Sequence, residues 1–310
     1  MIGESLALVA MLLFSTNILI TRFASARLAV SSGFVISVTV NLLFSCLAFA
    51  AQLAWQGHGV AWHPEGVLLF ALAGLCATWL GRWFFFEAIA RLGAARASLF
   101  HVSSPAFTLL LAWVFLGESL GFALLAAVVA TMVGLFLVST PAGVLRRASM
   151  ASTLTAATRT SRLRALLASG FAIGVGATLA YSVGNVLRGA AIRQWNEPVA
   201  GVLIGAVAAL AMHLLVGRGH GEFVRGLRTA DRTAVRLYVL AGVLTICAQM
   251  ATVASMRYIP VAVASVITLA TPLVVLPVSY ALLKNQERIG VRTLVGAALT
   301  LAGVAAIVMV

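Results

Sequence analysis

The chain has 310 residues, 62% hydrophobic and 9% charged, with a net charge of +13 and a mean hydropathy of +1.07. Soluble domains carry about 25% charged residues, so this composition excludes a water-soluble globule and indicates a polytopic membrane protein. The 21 basic residues lie mostly between apolar runs, which argues for orientation in a bilayer and against nucleic-acid binding.

An apolar run of about 20 residues crosses the hydrocarbon as a helix. Ten such runs follow in order: 3–21, 33–54, 67–90, 97–116, 121–140, 166–188, 198–216, 235–256, 261–283 and 290–310. No stretch alternates polar and apolar residues as a membrane barrel strand would. The fold class is therefore an all-α membrane protein with ten transmembrane helices. The N-terminal run lacks a basic region before it and a cleavage site after it, so it reads as a retained helix. Cys46, Cys76 and Cys247 fall inside apolar runs without metal spacing and read as small buried hydrophobes.

The loops after runs 1, 3, 5, 7 and 9 hold 17 Lys and Arg residues. The opposite loops hold three, Arg188, Arg193 and Arg257, and Arg82 lies inside run 3. This bias places the basic loops in the cytoplasm and both termini outside a bacterial-type inner membrane. Residues 141–165 carry five Arg and no acid, and read as a cytoplasmic linker attracted to anionic headgroups.

The chain contains one long stretch twice. Ala97-Ser98, Pro105, Glu118, Gly121, Thr131 and Gly134 return as Ala264-Ser265, Pro272, Glu287, Gly290, Thr300 and Gly303. The offset is 167 residues up to the prolines and 169 after them. Residues 1–140 then form a first five-helix repeat and 166–310 a second, joined by the linker 141–165. Five is odd, so the second repeat enters the bilayer upside down, an arrangement characteristic of secondary transporters.

The same offset pairs polar residues. Thr78 and Arg82 on run 3 match Thr245 and Gln249 on run 8, and each pair is spaced i, i+4 on one helical face. Ser98, His101, Ser104 and Pro105 on run 4 match Ser265, Thr268, Thr271 and Pro272 on run 9. Ser15 matches Ser182, and Asn17 lies near Asn185 if one residue is inserted. Polar groups in hydrocarbon need partners or water, so these faces should turn inward around a central polar region. The candidate substrate-binding residues are Arg82, Gln249, His101, Thr268, Asn17, Asn185, Thr78, Thr245, Ser98 and Ser265. Pro105 and Pro272 are candidate hinges, because proline frees a backbone carbonyl and kinks a helix. The plainer alternative is that Ser and Thr bond their own backbone or allow close helix packing. Arg82 stands roughly 12 Å inside the cytoplasmic end of its run, where its charge needs a partner.

Gly117-Glu118-Ser119-Leu120-Gly121 fits the G-x-S-x-G pattern of hydrolases, but it lies in a hairpin between two membrane runs, and its second copy has no aligned Ser. The runs hold no HExxH, Walker A or paired carboxylates. No catalytic residue, metal or cofactor is expected.

The proline helix, Gly-Glu hairpin and Gly-containing closing helix, in two copies of five helices, resemble the EamA domain of the drug/metabolite transporter superfamily. The resemblance is most specific at Pro105 to Gly134, Pro272 to Gly303 and Phe14-Ser15-Thr16-Asn17. It implies a substrate cavity lined by helices 1, 3, 4, 6, 8 and 9, and alternating access that often exports amino acids or other small metabolites. Two departures stand out. Phe14-Ser15 replaces the usual Trp-Gly, and run 1 lacks the Glu of the small proton-coupled multidrug relatives. The expected partners are a small-molecule substrate and the bilayer, with no nucleic acid. The rival readings are a non-transporting scaffold or sensor, which predicts a dry closed centre, and an intramembrane enzyme.

Overall fold

A computed structural model describes residues 1–28, 30–92, 100–101, 103–118, 121–139, 170–216, 231–271, 273–275, 277–278 and 291–309. All regular structure among them is helical: α1 (Ile2–Ser25), α2 (Val30–Gln56), α3 (Pro64–Ala73), a π-helical segment (Gly74–Gly81), α4 (Arg82–Leu92), α5 (Ser104–Leu116), α6 (Phe122–Ser139), α7 (Gly170–Gln194), α8 (Pro198–Val216), α9 (Arg232–Ser255), α10 (Val261–Leu269) and α11 (Val291–Met309). Five stretches, Ile2–Ser25, Val35–Gln56, Pro64–Phe85, Pro198–Val216 and Arg232–Ser255, are long and apolar enough to cross a membrane.

Local chemistry sets several ends. His63 Nδ1 accepts from the Gly66 amide and Pro64 takes the first helical position, so α3 starts there. Asp231 caps α9 by accepting from the Thr233 amide at 2.9 Å. That hydrogen bond first, and Arg27 beside it, hold the Asp231 carboxyl below its usual range. Gly117 closes α5 in the left-handed region at φ 63°, where a side chain is strained.

Run 3 departs from a uniform helix. It is continuous from Pro64 to Leu92, but its middle third is π-helical. Such widened turns concentrate at functional sites. The fourth run is interrupted: Phe100 and His101 are helical, Ser103 is a turn, and α5 begins at Ser104, one residue before Pro105. The ninth run is interrupted at the equivalent place, where α10 ends at Leu269 and Thr271 is a turn. Pro272 itself lies outside the described residues.

The helices pair across the two halves, and the 167-residue offset relates the pairs. α1 packs on α9, and its counterpart α7 packs on α3 and the π segment. α1 also packs on α10, as α7 does on α5. α2 meets α9, as α8 meets α3 and the π segment. Three pairs are their own counterparts: α2 with α8, α5 with α10, and α6 with α11. Small residues let the helices approach, with Ala7, Ala10, Ala177, Ala262 and Ala264 buried alongside larger side chains such as Phe70, Ile246 and Tyr238. Leu43, Leu47, Trp113, Phe115 and Phe122 point outward, the pattern of helices packed closely within lipid.

The α6–α11 crossing repeats one contact twice. A methyl on Gly134 would overlap Thr300 Oγ1 and the Gly296 carbonyl, and a methyl on Gly303 would overlap Thr131 Oγ1 and the Ala127 carbonyl. Thr131 and Thr300 each bond the carbonyl four residues back, at 2.8 Å. Replacing either glycine by valine is expected to cost about 1–3 kcal/mol, read as a lower unfolding midpoint in detergent.

Candidate functional site

The Arg188 guanidinium is the centre of the described polar contacts. Its Nη2 donates to Thr78 Oγ1 and to Gln249 Oε1, both at 3.3 Å. Thr78 is the midpoint of the continuous helix 64–92, so the guanidinium meets that helix at its middle. The run ending at 188 predicts Arg188 in an outer loop; instead α7 continues to Gln194, and Arg188 lies within it. An Arg late in an apolar run looks like a flank in sequence, whereas packing decides whether its long side chain turns outward or inward.

Arg188, Thr78 and Gln249 line a small cavity with Phe70, Val202 and Val253. Gly201 and Gly205 of α8 complete its wall and add no side chain. The cavity has room for about one water molecule, so the centre is closed in this conformation.

A second group adjoins it. Arg82 reaches the Tyr181 side chain, and its charge is felt at Arg188 and His101. His101 meets Tyr181 edge-on at 4.8 Å between ring centroids and Phe85 at 5.3 Å. Among the described residues the buried His101 Nδ1 has no hydrogen-bond partner, nor has Thr268 Oγ1, its counterpart 167 residues on. Two orphaned polar atoms at matched positions beside broken helices are places where a solute or water can bond.

A third group ties the helix breaks. Ser182 Oγ donates to the Ser104 carbonyl at 2.9 Å, and Ser15 Oγ approaches the Thr271 carbonyl at 3.5 Å. These are the same contact in the two halves, each at the residue preceding a proline. Thr178 Oγ1 bonds the Phe100 carbonyl at 2.7 Å, which satisfies one backbone group where the helix is interrupted. Asn185 Nδ2 donates to Ser265 Oγ at 3.4 Å, linking α7 to α10.

The expected residues therefore divide. Thr78, Gln249, Arg82 and His101 gather around Arg188 and Tyr181. Asn185 and Ser265 pair, and Pro105 follows a helix break. Thr245 is not drawn in: it is buried and bonds the Ala241 carbonyl of its own helix at 2.8 Å. Asn17 accepts from Thr21, also on its own helix. Ser98 lies outside the described residues, as does Ser119 of the hydrolase-like pattern. Arg188, Tyr181 and the buried Asn41 are additions. Asn41, with its amide turned to suit its neighbours, donates to the Gly242 carbonyl at 2.7 Å. Tyr181 follows no repeated polar pattern, so spacing offered no signal for it.

Glu118, seen in sequence only as a repeat marker, joins three elements. Its Oε1 accepts from the Val261 amide at 3.0 Å, at the start of α10, and pairs with Arg193 near the end of α7. Trp195 Nε1 donates to the Ala61 carbonyl at 2.9 Å, and Gln52 to Glu197 at 2.7 Å. These contacts hold the two halves together at one end of the molecule.

This is a helical membrane protein whose polar centre is assembled by residues of both halves. The family model described as the EamA-like transporter family matches residues 1–140 and 165–309, and the chain belongs to that family, within the drug/metabolite transporter superfamily. One solved protein crystal structure is 18% identical and superposes with a TM-score of 0.69 over 99% of this chain and 98% of that one, a likeness of fold. No curated protein matches the sequence.

Proposed function

We propose that the chain is a secondary transporter that exports small metabolites, such as amino acids, across the inner membrane by alternating access. In this reading ten helices span the bilayer as two inverted five-helix repeats, 1–140 and 166–310, with both termini outside. The supporting observation is the convergence on Arg188 of Thr78 from the first half and Gln249 from the second, beside two helices broken at equivalent places. Discontinuous helices meeting near mid-membrane are how many transporter folds build a site. On the orientation set by the Lys and Arg bias, the Glu118–Arg193, Gln52–Glu197 and Trp195–Ala61 contacts lie outside, so the described conformation is tied shut on that face.

Single cysteines at positions 101 and 268, in a background without the native three, test this. Each is expected to react with a membrane-impermeant thiol reagent from the two sides in alternating fashion, with the balance shifted by substrate. Reactivity from neither side, under any solute, would leave a closed scaffold or sensor instead.

A further inference from the structure

Arg188 is charged, part-buried within the bundle, and hydrogen-bonded to neutral groups among the described residues. Its partners are the Thr78 hydroxyl and the Gln249 carbonyl, both on Nη2. Three carboxylates of the described residues are engaged elsewhere: Glu118 holds Arg193, Asp231 holds Arg27, and Glu4 holds the terminal amine. Arg82 adds a second positive field rather than a compensating one. An uncompensated cation in hydrocarbon is costly, and proteins keep such groups where function uses them. The guanidinium borders a cavity, so an anion arriving there meets donors already in place, with Nε and Nη1 uncommitted among the described residues. A planar guanidinium fork matches a planar carboxylate. The remaining walls, Phe70, Val202 and Val253, are apolar. They hold no acid to receive an ammonium group, and once the site opens beyond its present one-water volume they suit an aliphatic body.

We propose that Arg188 is the anion anchor of the transport site, and that the solute it selects is a small monocarboxylate with an apolar body. This rests on the transporter reading above and narrows its solute from amino acids to carboxylates without an ammonium group.

The test uses purified full-length protein in detergent and three probes: isovalerate, its uncharged analogue isovaleramide, and inorganic phosphate. Isovalerate is expected to raise the thermal unfolding midpoint of the wild type, while isovaleramide and phosphate leave it unchanged. Arg188→Gln is expected to bind isovalerate about 10- to 100-fold more weakly, the loss of one or two charge-assisted hydrogen bonds. Without ligand its midpoint should equal or exceed that of the wild type, because a part-buried charge without a counter-charge has been removed. A merely structural arginine would give a lower ligand-free midpoint, and that result overturns the proposal. If Arg188→Gln does not fold, two other variants decide. Arg188→Lys should retain a weakened response, and Val202→Phe, which adds bulk to the cavity wall and leaves residue 188 unchanged, should abolish it. Stabilisation by phosphate alone, equal stabilisation by isovaleramide, an undiminished response in Arg188→Gln, or no response to any probe would each sink the proposal.

Transport is read separately. Alternating cysteine reactivity in a protein indifferent to isovalerate refutes the anion anchor and keeps the transporter. Isovalerate binding without alternation does the reverse.

Discussion

Replacing Gly74 by alanine is expected to lower stability by about 2–3 kcal/mol, whereas the same change at its partner Gly205 is expected to be neutral or mildly stabilising. The two glycines face each other where the π segment crosses α8, but the crossing is lopsided. A Cβ on Gly74 would lie 2.5 Å from the Gly205 Cα and 2.7 Å from its carbonyl carbon, both backbone atoms that no rotamer change can move. A Cβ on Gly205 would sit 3.4 Å from the Phe70 carbonyl oxygen and 3.5 Å from the Gly74 Cα, ordinary contact distances. Each substitution gains about 1 kcal/mol of helix propensity, so only Gly74 has a steric cost large enough to reverse the sign. Denaturant midpoints of the two variants in the same detergent check this. Equal midpoints would mean that the crossing is looser than described. Gly74→Ala should also displace Thr78, one turn along, and weaken the wild-type response to any solute that uses Arg188.

The Glu118–Arg193 pair should be unequal in the same way. Arg193→Ala is expected to cost about 3 kcal/mol, and Glu118→Gln clearly less. The Glu118 side chain is 6% exposed and its Oε2 is buried without a hydrogen-bond partner, so losing Arg193 strands a carboxylate out of water. The Arg193 side chain is 40% exposed, so losing the charge of Glu118 returns the guanidinium to solvent at little cost. A Gln at 118 also keeps a carbonyl oxygen for the Val261 amide and preserves the start of α10. The double variant should be more stable than Arg193→Ala alone. If Glu118→Gln proves the worse of the two, the pair is not acting as a buried carboxylate with a surface partner.

Much of the architecture was legible because lipid imposes simple rules. Every spanning backbone must satisfy itself, so apolar length alone marks helices. The repeat could be read because both copies solve the same packing problem. Thr131 and Thr300 each lie against a glycine of the other closing helix, and Ser15 and Ser182 each meet the carbonyl before a proline. Matching residues in sequence therefore became matching contacts. The offset also picked out Thr78, Gln249, Arg82 and His101, which gather in space. It picked out Thr245 equally well, and Thr245 only bonds its own helix. A hydroxyl can be satisfied at i−4 without any neighbour, so periodicity cannot separate an inward-facing Thr from a self-bonded one.

The sequence by itself determined the lipid setting, the two-repeat plan and the candidate polar helices, since these follow from hydropathy, charge placement and self-similarity, all of which are properties of order along the chain. Tertiary structure decided which charge occupies the centre. Arg188 breaks the internal symmetry, standing where the first half has Thr21, and its long side chain could have turned to either side of the helix end. Only the packing of α7 against the π segment and α9 brings its guanidinium to Thr78 and Gln249. The widened turn that carries Thr78 was likewise set by contact, because a π segment is held by what crosses it and has no composition of its own.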